Sequence, residues 1–230
     1  MTVEVFSSFL NIFLIVYASL FPIINPLGGA PIFLSFVRHC SPATRKHLAR
    51  KIALYGFTLL VCAMLFGARI LTFFGISLPV LHMAGGLVVA SIGWSLLHQG
   101  VQSDKHSEAV ALNEETALEN AFYPLTLPLT VGPGVIATAI AISAGHTPIT
   151  PDSLMQVAVE AVAALSALVA IALTIYFAYR EAGTIERVLG RRGTDVLVRL
   201  FAFILLAIGL QMLWSGLQVL LGEVFAAQNI

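Results

Sequence analysis

The sequence predicts an all-α membrane protein with six transmembrane helices, arranged as two inverted three-helix repeats in which helices 1 and 4 are broken. Three observations support this fold class. Of the 230 residues, 58% are hydrophobic and only 10% are charged, and the mean hydropathy is +0.93. Long apolar segments recur along the chain, and proline- and glycine-rich motifs interrupt two of them. Because soluble domains carry about 25% charged residues, this composition indicates helices that cross a bilayer.

Six apolar segments are long enough to be transmembrane spans. A span needs about 20 residues at a rise of about 1.5 Å per residue. The first segment exceeds this length, so it must tilt, break or double back. The first residues of the chain lack the basic region of a signal peptide, so we expect this segment to be retained. The predicted spans cover residues 5–37, 52–74, 77–98, 121–144, 154–179 and 199–222.

The six spans are predicted to form one integral membrane domain made of two copies of one unit. Trp94 and Ser95, near the end of the third span, match Trp214 and Ser215 near the end of the sixth. Because each copy has three spans, the second copy must enter the membrane from the opposite face, which makes the repeats inverted. The first repeat covers about residues 1–98 and the second about 121–230, and an acidic cytoplasmic connector covers about residues 99–120.

The distribution of basic residues predicts the orientation in the membrane. Eleven of the twelve Lys and Arg residues lie in or beside the loops that follow spans 1, 3 and 5, and Arg69 is the exception. Since Lys and Arg are enriched in cytoplasmic loops, we expect these loops in the cytoplasm and both termini outside it. The eleven residues are Arg38, Arg45, Lys46, Arg50, Lys51, Lys105, Arg180, Arg187, Arg191, Arg192 and Arg199.

Two related motifs interrupt the first and fourth spans. The sequence NPLGGAP occupies residues 25–31, and LPLTVGPG occupies residues 127–134. Proline lacks a backbone donor and glycine weakens a helix, so both motifs are expected to open the helix locally. We expect Pro31 and Pro133 to begin the helices that restart, because proline suits the first helical position. A restarting helix has free N–H groups and about half a positive charge at its N-terminus.

These two motifs are the predicted binding site for a small solute. Two helix N-termini related by the inverted repeat would converge on one anion, such as a carboxylate, while exposed carbonyl groups would hold Na⁺ or a proton-carrying water. The alternative interpretation is that proline and glycine only kink tightly packed helices. The predicted substrate-binding residues are Asn25, Pro26, Gly28, Gly29, Pro31, Thr130, Gly132, Pro133 and Gly134.

Two further polar residues lie inside predicted spans. Glu160 is a candidate for proton coupling, with contact to interfacial water as the alternative. Gln211 is a candidate for binding the substrate, with a hydrogen bond to a neighbouring helix as the alternative. Small residues in spans three and five are expected to serve close helix packing rather than chemistry. They are Gly85, Gly86, Ala90, Ala163 and Ala167.

Other classes of protein are not supported by the sequence. The motifs HExxH, GxSxG and the P-loop are missing, so we do not expect an enzyme. Two cysteines and six scattered histidines indicate no metal site, and we expect no cofactor apart from Na⁺ or H⁺ as a coupling ion. The formal net charge is zero, which gives no basic patch for nucleic acid.

At these two motifs the sequence resembles the MarC family of bacterial inner-membrane proteins, which is grouped with small neutral amino-acid transporters. The resemblance extends over essentially the whole chain. It implies a six-span inner-membrane protein, and transport of glycine- or alanine-like substrates is attributed to some members. Many relatives carry a bulkier polar residue within residues 28–30, where this chain has Gly-Gly-Ala. The matching residues are Pro22, Asn25–Gly28, Pro31, Ala84–Gly86, Pro124–Leu129, Gly132–Ala137 and Ala207–Met212.

Three hypotheses about function remain at this point. The first is a secondary transporter for small neutral amino acids or similar small zwitterions, working by alternating access. The second is a small ion channel in which the same carbonyl groups form a filter. The third is a non-transport assembly or lipid-handling protein in which the breaks serve packing alone. The expected partners are a small-molecule solute and the lipid bilayer, and the sequence leaves the oligomeric state open.

Overall fold

The computed structural model describes residues 2–99, 112–144 and 154–228, and every regular element within these ranges is an α-helix. The acidic connector is covered only from residue 112 onwards, so Lys105 lies outside the described residues. The helices are α1 (Thr2–Ile24), α2 (Pro26–Phe36), α3 (Pro42–Phe73), α4 (Leu78–Gln99), α5 (Glu114–Glu119), α6 (Pro133–Ala144), α7 (Leu154–Arg180) and α8 (Ala182–Gln228).

Five helical stretches in the described part of the chain are long and apolar enough to cross a membrane. They correspond to the predicted spans 1, 2, 3, 5 and 6. Helix α3 begins at Pro42, well before the predicted start of span 2, because the Ser41 side chain accepts a hydrogen bond from Thr44 N and caps the helix. The stretches are Val5–Phe36, Pro42–Phe73, Leu78–His98, Met155–Arg180 and Arg192–Gly222.

The fourth predicted span, residues 121–144, is broken as predicted, but it contains no helix long enough to cross a membrane. Residues 120–130 form a series of turns, and only α6, with 12 residues, is helical. A helix of this length covers about 18 Å, which is less than the bilayer core of about 30 Å. Pro124 and Pro128 explain the difference, because each lacks the backbone donor that a helix would need at its position.

The long helices pack in two groups. Helix α7 packs against both α1 and α3, and α4 packs against α8 in the most extensive helix contact of the structure. The short helices fill the space between the groups: α6 contacts α3 and α4, while α2 contacts α7 and α8. Phe33, Ile52, Ile171 and Ile175 are fully buried, so the core lies where α2, α3 and α7 meet.

Glycine lets the backbones of α4 and α8 come close together. A Cβ atom added to Gly86 would lie 2.7 Å from the carbonyl oxygen of Gly209. A Cβ atom added to Gly209 would lie 2.7 Å from Cα of Ala90. The prediction that Gly86 and Ala90 serve close helix packing is therefore confirmed. We call this contact the glycine seam, defined by Gly86 and Gly93 on α4 and by Gly209 and Gly216 on α8.

The loop before α3 is tied to the beginning of the second half of the chain. The Glu114 carboxylate accepts hydrogen bonds from Ser41 N at 2.6 Å and from the Thr44 hydroxyl. These bonds lower the pKa of Glu114, with the Thr44 hydroxyl as the largest cause. Beside them, Cys40 is a buried free thiol whose pKa is raised, mainly by burial and also by the Glu114 charge. Since these contacts join residues about seventy positions apart, they fix the two halves to each other at this face.

Candidate functional site

The first break lies at Asn25, inside the predicted motif. Asn25 has φ 48° and ψ 59°, in the left-handed region, which Asn tolerates better than most residues. Helix α1 ends at the residue before it, and α2 begins at Pro26. The expectation that Pro31 begins the restarting helix is wrong, since Pro31 lies inside α2. Pro26 takes the first helical position, where its missing N–H leaves no donor unpaired.

The N-terminus of α2 is capped by the residue that breaks the helix. The Asn25 Oδ1 atom accepts a hydrogen bond from Gly28 N at 3.0 Å, and its carbonyl oxygen accepts one from Gly29 N at 2.8 Å. From the sequence, these donors are expected to bind a carboxylate of the solute. Side-chain capping satisfies them within the chain, so this end of the site differs from the expected one.

At the second break, residues 120–130 form consecutive turns and not a kinked helix. The N–H groups of Thr126, Leu127 and Val131 each donate to a carbonyl five residues earlier, at 2.8–3.1 Å. The Thr130 hydroxyl donates to the carbonyl oxygen of Leu125 at 2.7 Å. Many backbone N–H and C=O groups of this segment are therefore hydrogen-bonded within it, although it is not a helix. An apolar environment requires such internal hydrogen bonds.

Pro133 begins α6, as predicted from the sequence. The N–H groups of Gly134 and Val135, in the first turn of α6, have no hydrogen-bond partner among the described residues. The backbone can approach closely here, because a Cβ atom on Gly134 would lie 3.2 Å from the carbonyl oxygen of Gly85. The N-terminus of α6 therefore presents two free donors together with the positive end of the helix dipole.

Tyr179 joins the two breaks, and sequence reasoning missed it. Its hydroxyl oxygen lies 2.9 Å from Thr130 Oγ1, and its ring stacks on Phe33 of α2 with centroids 4.7 Å apart. Because the Thr130 hydroxyl proton is used towards Leu125, Tyr179 donates to Thr130. A Cβ atom on Gly29 would lie 2.9 Å from the Tyr179 hydroxyl oxygen. A tyrosine near the end of a span resembles an interfacial anchor, so no signal in the sequence marked it.

One cavity of about 330 Å³ opens between the two breaks. Five of the nine predicted binding residues line it, and α4 and α8 complete its walls with Val89, Ile92, Leu96 and Leu205. The two interrupted segments therefore meet, as the sequence analysis expected. The five residues are Asn25, Gly29, Thr130, Gly132 and Gly134.

The remaining candidates lie elsewhere. Pro26, Gly28 and Pro31 are buried within α2, and Pro133 is exposed. The structure does not bring these four to the cavity wall. A Cβ atom added to Gly28 would clash with the side chain of Asn25, so Gly28 lies directly beneath this capping side chain.

Glu160 and Gln211 are also outside the cavity. Glu160, on α7, is buried and accepts a hydrogen bond from Gln156 Nε2 at 3.3 Å. Gln211, on α8, is exposed and donates to Ser215 Oγ at 3.5 Å. Neither side chain is therefore placed to contact a solute held between the breaks in this conformation.

The cavity wall is apolar, with a few polar groups at the breaks. None of the described residues that line it carries a charged side chain. Asn25 and Thr130 supply its polar side chains, and Asn25 Nδ2 has no hydrogen-bond partner in the described part of the chain. Within the same ranges, His, Cys, Asp and Glu form no group of three that could hold a metal ion. The arrangement can therefore hold a small solute by hydrogen bonds from uncharged donors.

Long apolar helices surrounding a cavity between two interrupted segments define the chain as a multi-pass integral membrane protein. The chain belongs to the MarC family of integral membrane proteins, whose sequence profile matches residues 10–221. The resemblance seen at the two break motifs is therefore confirmed over most of the chain.

Relatives of similar length support this assignment. The chain is 34% identical over 206 residues to the membrane protein YvbG of Bacillus subtilis (strain 168), covering 88% of this chain and 92% of that protein. It is 33% identical over 203 residues to the inner membrane protein MarC of Salmonella typhimurium (strain LT2), covering 86% and 90% of the two chains. No solved structure matches the chain.

Proposed function

We propose that the chain is a secondary transporter of the bacterial inner membrane for small neutral amino acids or similar small zwitterions. The observation that carries this proposal is that both break motifs line one cavity. A packing role alone would not require the two interrupted segments to share a space that a solute can enter. Transporters of this kind bind their substrates at such breaks, between the two halves of the fold.

The size and polarity of the cavity suit a small solute without net charge. Ligand sites span about 300–1,000 Å³, and about 330 Å³ is at the lower end of this range. An isolated net charge is costly in an apolar wall, whereas a zwitterion can pair both of its charges with oriented dipoles. Glycine and alanine fit within this volume with room to spare, and both are zwitterions.

The free donors suggest how the carboxylate would be held. The N–H groups of Gly134 and Val135 point from the positive end of α6, and Asn25 Nδ2 adds a donor from the opposite break. Backbone carbonyl groups at the breaks would hold the ammonium group and a coupling Na⁺ or H⁺. Because α2 is capped, α6 supplies more of the carboxylate binding than α2 in this arrangement.

Two inverted repeats are part of the proposal, and the antiparallel contact at the glycine seam is compatible with them. The match of Trp94 to Trp214 places corresponding residues 120 positions apart. A Cβ atom on Gly86 would lie 2.8 Å from Leu213 N. A shift of 120 positions relates Gly86 to Leu206 and Leu213 to Gly93, so the repeat predicts a contact between Leu206 and Gly93. Leu206 N is the atom nearest to a Cβ atom added to Gly93. The contacts of α6 with α4 and of α2 with α8 form a similar pair.

Alternating access then follows from the motion of one repeat against the other around the cavity. We propose that the loops after spans 1, 3 and 5 are cytoplasmic and that both termini lie outside, as the basic residues indicate. The name of the Salmonella relative agrees with an inner-membrane location.

Uptake of radiolabelled glycine and alanine by proteoliposomes tests the proposal. Saturable uptake driven by a Na⁺ or proton gradient is the expected result. The variant Asn25→Asp keeps an oxygen that can cap Gly28 and a residue that tolerates the left-handed region, but it replaces a donor with a carboxylate. Because like charges placed together cost several kcal/mol, saturable uptake should fall about tenfold or more.

The variant Asn113→Asp is the matched control. Asn113 lies outside the apolar spans and the cavity, and aspartate keeps the oxygen that caps α5 by accepting from Thr116 N, so this variant should transport as the parent does. Flux without saturation would support an ion channel instead. No flux under either gradient, with a folded protein, would favour a role in assembly or lipid handling.

A further inference from the structure

A second cavity, of about 630 Å³, lies on the outside of the bundle between the first half of α3 and the second half of α7. We call it the α3–α7 groove. Lys46, His47 and Arg50 line one end of this groove, and Leu54, Phe57 and Leu173 line the rest. It shares no residue with the cavity between the breaks, so an inference about it is independent of the proposed function.

The basic end of the groove carries charge that nothing in the described part of the chain balances. Lys46, His47 and Arg50 are exposed and fall within one turn of α3, so their side chains share a face. Lys46 and Arg50 have no carboxylate within ion-pair distance among the described residues. Arg38 and Arg180, at the same end of the bundle, are both paired with glutamates. An uncompensated basic cluster of this kind attracts an anion.

The apolar part of the groove is too long for a free inorganic anion. Phe57 is eleven residues beyond Lys46, which corresponds to about 16 Å along α3. Leu54 and Leu173 flank this part and are 59% and 51% exposed. Ala53 and Ala172 form a floor of small side chains between them, which leaves room for a chain of methylene groups.

From this charge pattern we propose that the α3–α7 groove binds one anionic phospholipid. Its phosphate lies at Lys46 and Arg50, and one acyl chain lies along Ala53, Leu54 and Ala172 towards Phe57. Basic pockets between transmembrane helices are suited to anionic headgroups, and each Lys or Arg near the surface contributes to the attraction. A zwitterionic lipid offers the same acyl chain without the net charge, so the groove discriminates by headgroup.

Binding of defined lipids to the full chain in detergent tests the proposal. Native mass spectrometry with phosphatidylglycerol and phosphatidylcholine of identical acyl chains gives the two affinities. We expect phosphatidylglycerol to bind at least about tenfold more tightly. The double variant Lys46→Gln/Arg50→Gln should lose this preference, with phosphatidylcholine binding unchanged. Both positions are exposed, so the variant should fold as the parent does.

A charge-matched control and a shape variant complete the test. Lys51→Gln/Arg69→Gln removes the same charge from α3 outside the groove and should keep the preference. Ala172→Phe fills the floor and should weaken phosphatidylglycerol binding, with the basic end intact. Equal binding of the two lipids by the parent would overturn the proposal. So would an undiminished preference in Lys46→Gln/Arg50→Gln, or displacement of phosphatidylglycerol by millimolar inorganic phosphate.

Discussion

The hydroxyl group of Tyr179 lies 2.9 Å from Thr130 Oγ1 and against the backbone of Gly29, so one side chain touches both interrupted segments. Its ring is fully buried against Phe33. Asn25 acts at the same scale, because it both ends α1 and caps α2. Single residues rather than whole helices therefore set the geometry of the two breaks.

Removing the Tyr179 hydroxyl tests its role. Tyr179→Phe keeps the stacked ring and loses the hydrogen bond to Thr130, so it should lower the free energy of unfolding by about 1 kcal/mol. Thermal unfolding in detergent measures the change. Tyr176→Phe, three residues earlier on α7, is the control, because the Tyr176 hydroxyl makes no hydrogen bond to the described residues. Equal effects of the two variants would contradict the assignment.

Two different kinds of contact hold pairs of elements together. At one face, Glu114 bonds to Ser41 and Thr44 and joins the start of α3 to the segment before the second break. In the bilayer region, the glycine seam brings the backbones of α4 and α8 together. The Glu114 contact depends on a charge, so it should respond to pH. The glycine seam depends on shape alone, so it should respond to added side-chain atoms.

The Glu114 contact should make stability depend on pH in the acid range. Its pKa is lowered from the ordinary 4.5, so the folded chain favours the ionised carboxylate. The stabilisation is complete above about pH 4.5, where the unfolded chain is also ionised, and it is lost as the pH falls through the lower pKa of the folded chain. Unfolding temperatures of the parent and Glu114→Gln should differ at pH 7 and converge in acid. A constant difference down to pH 3 would show that the charge is not responsible.

The glycine seam should not tolerate added side-chain atoms. Gly86→Ala places a Cβ against backbone atoms of α8, which cannot rotate away, and should destabilise the chain by about 1–3 kcal/mol. Gly222→Ala is the matched control on α8, because a Cβ there meets nothing within 4 Å. Its unfolding temperature should be unchanged or slightly higher, since alanine favours the helix more than glycine does. A Gly86→Ala protein as stable as the parent would contradict the packing.

At the scale of the whole molecule, the orientation in the membrane can be measured directly. In a background without Cys40 and Cys62, Ser77→Cys marks the turn between α3 and α4, and Arg187→Cys marks the basic segment after α7. A maleimide that cannot cross membranes should label Ser77→Cys in intact cells. It should label Arg187→Cys only after the membrane is opened. The reverse pattern would invert the proposed topology.

Much of this architecture could be predicted from the sequence, because hydropathy and helix breakers act locally. The spans that correspond to α3, α4, α7 and α8, and the break at Asn25, follow from such signals. The break in the fourth span follows from the same signals, but the turns at residues 120–130 do not, since the apolar residues there indicate a helix while Pro124 and Pro128 prevent one. Contacts between distant parts of the chain could not be predicted either, because no local pattern specifies them.

Two residues show why the site itself was only partly predictable. Pro31 matches the first position of a helix as well as Pro26 does, and the choice between them depends on the backbone angles of Asn25. The hydrogen bond between Tyr179 and Thr130 joins residues 49 positions apart, and no local pattern specifies it. Prediction from sequence therefore located the cavity but missed part of the network that supports it.

The closeness of α4 and α8 also fixes their register. Met83 lies over Gly216 and Met212 lies over Gly86, so a shift of one helix along the other would bring a larger side chain against the partner backbone. Any displacement of these two helices should therefore be a rotation about their line of contact and not a slide along it.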